Sequence, residues 1–97
     1  MTFEERVAAS RRLYILVLLA ASPGGSANEA LLQAALDGYG HKPSLDQVAG
    51  DLAWLAEQGL VEASALHGLN MGRITARGED VAAGRAKVPG VERPVRR

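Results

Sequence analysis

The residues of this 97-residue chain whose types could do chemistry are few: two histidines, one tryptophan and a pair of adjacent arginines. His41 and His67 fall in turn-like segments without a carboxylate at metal-ligand spacing, so they read as solvated turn residues and no metal is expected. The absence of cysteine removes disulfides and thiolate metal sites, and suits a reducing compartment such as the cytoplasm. No Ser/His/Asp arrangement, phosphate loop or dinucleotide fingerprint is visible, so neither catalytic residues nor a cofactor is expected and the chain does not read as an enzyme. Arg11 and Arg12 read as a solvated helix face, with phosphate contact as the alternative. Trp54 lies off the apolar stripe of its helix, beside Gly50, Glu57 and Gln47. Something should cover it: the hairpin, the last helix, a dimer mate, or a foreign protein for which it is the docking site.

The element that must hold Trp54 is the helix from Ser44 to Gln58. Leu45, Val48, Ala49, Leu52, Leu55 and Ala56 recur at helical spacing and predict one buried face. Pro43 discourages continuation from upstream, Ser44 and Gln47 make a capping box, and Gly59 followed by Leu60 closes the end. Beyond it, residues 60–75 predict a hairpin turning at His67-Gly68, pairing Ala65 with Asn70, Ala63 with Gly72, Glu62 with Arg73 and Val61 with Ile74. A slip of one residue would send Ile74 outward and Arg73 into the core, which argues for this register.

Upstream, Thr2 and Glu5 predict the start of a first helix running to about Ala21, whose stretch Leu13–Leu19 is apolar all round. One small domain covers one side of such a helix, so Tyr14, Ile15, Leu18 and Leu19 are expected to meet a second copy in a homodimer. Ser26 and Glu29 repeat the capping pattern for a second helix ended by Gly38 and Gly40, with Tyr39 as an apolar plug between the second and third helices. Thr75 caps a short last helix to about Gly84, anchored by Val81.

The chain is long enough for one modest core, aliphatic because only four residues are aromatic. Residues 1–84 hold six Lys and Arg against ten Asp and Glu; residues 85–97 hold five against one. An acidic body, 1–84, therefore carries a basic tail, 85–97, whose two prolines predict an extended or flexible end. The tail could instead reach phosphate or the minor groove, or fold as a strap onto the acidic body, its own or a partner's. The acidic start argues against a signal peptide, and the run to Ala21 is too short to span a bilayer, so no membrane partner is expected.

The order helix, helix, helix, strand, strand, helix, with LAWLAEQGLVE before the hairpin and ITARG after it, resembles the winged helix-turn-helix domains of MarR-, ArsR- and PadR-like regulators. The pattern, including the ending VPGVERP, is also similar to small ArsR-like winged-helix proteins of Mu-like phages. The resemblance covers about Thr2 to Gly84 and implies a mostly α fold with a small hairpin, double-stranded DNA as partner, and a transcriptional regulator as function. It would turn Ser44, Asp46, Gln47, Gly50 and Asp51 of the third helix to the major groove and make hairpin 60–75 the wing. Gln47 could bond an adenine edge and Asp46 a cytosine amine, but the helix has no Lys or Arg, so phosphate contacts would fall to Lys42, Arg73, Arg85 and Lys87. That bare helix, the acidic body and Trp54 support the alternative, a winged helix that binds a protein in a phage or host assembly.

Overall fold

The computed structural model describes residues 1–95; the last two residues of the expected tail, 96–97, lie outside that range. The first helix, α1 (Phe3–Ala21), starts where the capping box predicts: the Thr2 hydroxyl accepts from the Glu5 amide, and the Glu5 carboxylate accepts from the Thr2 amide, each at 3.1 Å. A short strand β1 (Ser26–Asn28) follows, then α2 (Glu29–Leu36) and α3 (Leu45–Glu57). The hairpin is β2 (Val61–Leu66) and β3 (Leu69–Ile74), and α4 (Ala76–Ala82) closes the order.

β1 was not expected. The Ser26/Glu29 pattern suggested a cap, but Asn28 is the residue whose side chain accepts from the Leu31 amide and starts α2. Ser26–Asn28 instead pairs antiparallel with Arg73, Gly72 and Met71, making a three-stranded sheet in the order β1-β3-β2. Glu29, freed from capping, is buried and accepts from the Asn70 backbone amide, tying the base of α2 to the hairpin.

The hairpin register matches the expected one pair for pair, from Val61↔Ile74 to Leu66↔Leu69. His67 (φ 52) and Gly68 (φ 80) both take the left-handed conformation that a tight two-residue turn requires. α3 begins with the Ser44/Gln47 capping box and ends with the Leu60 amide donating to the Leu55 carbonyl at 2.9 Å, the closing bond of a Schellman turn. In the expected stripe, Val48, Leu52 and Leu55 are buried, but Leu45, in the first turn beyond the edge of the core, is 40% exposed.

The core is aliphatic: Ile15, Leu16 and Leu19 of α1 meet Leu32, Leu36, Val48, Leu52, Leu55 and Leu60, all essentially inaccessible. This corrects the expected dimer surface. Ile15 and Leu19 belong to the chain's own core, while Leu18 and Tyr14 are only partly covered. Tyr39 does not plug the gap between α2 and α3; it stacks on Tyr14 with ring centroids 4.3 Å apart.

The extended or flexible tail is corrected as well. Val88 and Val91 are 5% and 7% exposed and join the core cluster. The Glu92 amide donates to the Ala9 carbonyl at 3.1 Å, so residues 85–95 fold back along α1 as a strap on their own body. Two valines at i, i+3 around a Pro-Gly corner are too sparse a signal to be read as buried without the groove that receives them.

Candidate nucleic-acid interface

Of the α3 residues assigned to a groove, Ser44, Asp46, Gln47 and Gly50 are exposed. Capping fixes the orientation of Gln47: its Oε1 accepts from the Ser44 amide at 3.0 Å while the Ser44 hydroxyl accepts from the Gln47 amide at 3.1 Å. The side-chain nitrogen of Gln47 makes no protein hydrogen bond among the described residues, leaving a donor for an outside acceptor. Gly50 opens onto empty space, so backbone can be approached closely there. Ala53 and Glu57 continue the exposed stripe, whose charged members are the acids Asp46 and Glu57.

Asp51 leaves the set. It is 3% exposed and ion-paired to Arg11 through both carboxylate oxygens, Nε to Oδ2 and Nη2 to Oδ1 at 3.2 Å. The Nε of Arg12 lies 3.6 Å from Oδ1. The two arginines are thus neither a solvated face nor phosphate contacts; they join α1 to α3. A charge pair this buried persists because the geometry is bidentate and each partner would be costly to leave alone. The resemblance assigned Asp51 to the groove from its place in α3, and Arg11 of α1 covers that side of the helix.

The cations assigned to phosphate fall into two groups. Lys42 and Arg73 are exposed; Lys42 Nζ is 3.7 Å from Asp37 Oδ1, a solvated pair of little energetic weight. Arg73 lies opposite Glu62 on the outer face of the sheet, in a shallow depression with Ser26, Ser64 and Met71. Arg85 and Lys87 belong to the strap: Arg85 pairs with Asp80 at 3.0 Å and Lys87 is exposed. Strap anchoring gives these two fixed positions instead of the reach of a free arm.

Trp54 is half-buried, and within the chain its cover is Arg12 and the strap, neither of which was named for that role from sequence. The Arg12 guanidinium lies 4.0 Å from its ring centroid, and the strap crosses it at Gly90. One further cluster was missed. Ser10 Oγ and His41 Nε2 are 2.9 Å apart beneath Tyr14, so His41 is a packed residue and not a solvated one. Burial and then the Arg11 charge push its pKa below the ordinary histidine value, against smaller opposite effects of Glu92 and Asp51. Its position at the end of a Gly-rich connection hid it. Among the described residues no group of three or more His, Asp or Glu is arranged to hold a metal, and no helix is long and apolar enough to cross a membrane.

Three helices, a β-hairpin wing backed by a third strand, and a closing helix define a winged-helix fold. The same arrangement occurs in a MarR family transcriptional regulator from Streptomyces coelicolor, at TM-score 0.65 and 24% identity over 76% of this chain and 49% of that one. It occurs again in a complex structure of hsRosR-S1, at TM-score 0.65 and 22% identity over 82% of this chain and 70% of that one. The chain therefore spans about half the length of the Streptomyces regulator. No family model matches the chain. It is 51% identical over 84 residues to protein gp26 of Escherichia phage Mu, covering 87% of this chain and 86% of that protein. The chain belongs to the family of that phage protein. A Haemophilus influenzae protein is 43% identical over 61 residues, 63% of this chain and 59% of its own length. The solved neighbours include a MarR family regulator, and the ArsR-like assignment gains no support from them.

Proposed function

We propose that this chain is a non-enzymatic, cytoplasmic winged-helix regulator that binds double-stranded DNA, with α3 toward the major groove and the β2–β3 hairpin as wing. The observation that carries the reading is the exposed start of α3, where capping orients Gln47 and leaves its amide nitrogen free to donate to a base edge. Ser44, Asp46 and Gly50 complete the contact surface, and Lys42 and Arg73 supply the phosphate contacts. Arg85 and Lys87 are secondary contributors, held on the strap. The test is a titration of the protein against the DNA upstream of its own gene and against random DNA. Gln47→Ala should lose about 1–3 kcal/mol of preference at one base pair, and equal affinity for both DNAs would contradict readout by α3.

A homodimer is part of the proposal, on a surface narrower than the apolar run of α1. Leu18 and Val17 are partly covered, and Val17 and Ala20 line a shallow groove with Ala82 and Ala83 of α4. That groove is the place for a second copy; Ile15 and Leu19 are not.

A second reading is favoured by one specific observation: α3 exposes Asp46 and Glu57 with no cation of its own, and Arg11 and Arg12 are committed to Asp51. A basic protein surface would suit that stripe better than phosphate, which makes this family a protein-interaction module in a phage or host assembly. Absence of DNA binding at low salt would select this reading.

A further inference from the structure

The strap and Arg12 meet at Trp54 of α3, beside the exposed stripe of Asp46, Gly50, Ala53 and Glu57. Val88 and Val91 are buried in the core cluster, and the Glu92 amide donates to the Ala9 carbonyl of α1. Between the valines, Gly90 at φ +94 lies on the indole of Trp54: a Cβ at this position would stand 2.7 and 2.8 Å from two ring carbons, so only glycine lets the backbone approach this closely. The Gly90 carbonyl accepts from Arg12 Nη1 at 3.1 Å. The same guanidinium covers the Trp54 ring at 4.0 Å from its centroid and reaches toward Asp51, its Nε buried without a hydrogen-bond partner 3.6 Å from Oδ1. Strap, Arg12, Trp54 and Asp51 form one continuous contact, and two of its members are α3 residues.

We infer that the C-terminal strap is a positioning element for α3, acting through Arg12. The strap carbonyl fixes the guanidinium, the guanidinium bears on Trp54 and Asp51, and these set the rotation and tilt of the helix whose adjacent stripe is the candidate interface. Lys87 and Arg93 take no part in this, because both are exposed and the contacts to α1 and Trp54 come from Val88, Gly90, Val91 and backbone. The consequence for DNA rests on the proposed function; the positioning itself does not.

Two sets of variants of the full chain separate position from charge. Val88→Asn and Gly90→Ala unseat the strap while keeping its charge, and Lys87→Gln with Arg93→Gln removes charge while keeping the seat. Trp54 fluorescence reads the seat, amide hydrogen exchange of α3 reads its rigidity, and DNA titration at two salt concentrations reads the interface. Unseating should red-shift Trp54 and speed exchange of the α3 amides by about tenfold or more. It should weaken binding to the preferred DNA and leave the main part of the salt dependence, which Lys42 and Arg73 carry, as it was. Arg12→Lys, which keeps the charge and loses the fork, should move α3 exchange in the same direction with the strap valines still present. The charge-removal pair should leave exchange unchanged. An exposed Trp54 with unaltered α3 exchange would reduce the strap to a cover and overturn the inference. Unshifted emission in Gly90→Ala would do the same, since the close contact would then be absent. Should Val88→Asn unfold, as circular dichroism would reveal, Gly90→Ala carries the test. A wild-type protein that binds no DNA refutes the proposed function and leaves the exchange result to decide the positioning.

Discussion

At the scale of single residues, the buried carboxylate of Asp51 decides most. With its partner side chain Arg11 only 11% exposed, Asp51→Ala leaves a cation between α1 and α3 with no counter-charge. That should cost about 3–5 kcal/mol in denaturant unfolding, whereas Arg11→Met combined with Asp51→Leu should recover only the share due to Arg11, because the loss comes from unpaired charge and Arg12 still lacks its partner. His41 gives a pH signature. Its folded-state pKa is lowered by burial and by Arg11, so below the ordinary histidine value the unfolded chain binds more protons and stability falls as pH falls. Glu92 and Asp51 oppose this and set how steep the fall is. His41→Gln, which can keep a bond to Ser10, should shrink the difference in unfolding free energy between about pH 7.5 and about pH 5.5. A difference as large as in the wild type would remove His41 as its source.

The elements were legible to different degrees, and the differences have physical reasons. Local chemistry wrote α1, α3 and the hairpin: capping boxes at Thr2 and Ser44, a stripe at 3.6-residue spacing, and a register in which only one pairing keeps Arg73 out of the core. β1 was illegible because three residues cannot display alternation and because Ser26 and Glu29 imitate a cap that Asn28 provides. Of the residues assigned to a groove, Ser44, Asp46, Gln47 and Gly50 are exposed, as one turn of helix decides, whereas Asp51 is buried, where a distant helix decides. Contacts at a sequence separation of 40, such as Arg11 with Asp51, leave no periodic trace. Where α4 meets the hairpin the fit is closest: a Cβ at Gly78 would stand 2.1 Å from the Leu60 carbonyl oxygen and 2.8 Å from Ile74. Because backbone must move, Gly78→Ala should lower stability by about 1–3 kcal/mol, despite alanine's better helix propensity, and thermal unfolding measures it.

The molecule is an acidic body with residues 85–95 of its basic end folded back on it, and that arrangement limits how it can associate. Two copies pairing through Val17, Leu18 and the α4 groove should appear in sedimentation as a dimer dissociated by Leu18→Glu, with the fold intact by circular dichroism. Ile15→Glu should instead unfold the chain, since that side chain is wholly buried. A dimer untouched by Leu18→Glu would place the interface elsewhere. The central claim, that α3 and the wing face DNA with Lys42 and Arg73 as the phosphate contacts, is tested most directly by salt dependence. A dimer with two such contacts per subunit should give a log-log slope of affinity against salt near −4. Lys42→Gln with Arg73→Gln should flatten most of it, leaving the small share of Arg85 and Lys87, while Gly90→Ala should weaken binding and keep the main part of the slope. No binding at low salt, or a slope indifferent to the loss of Lys42 and Arg73, would contradict the account.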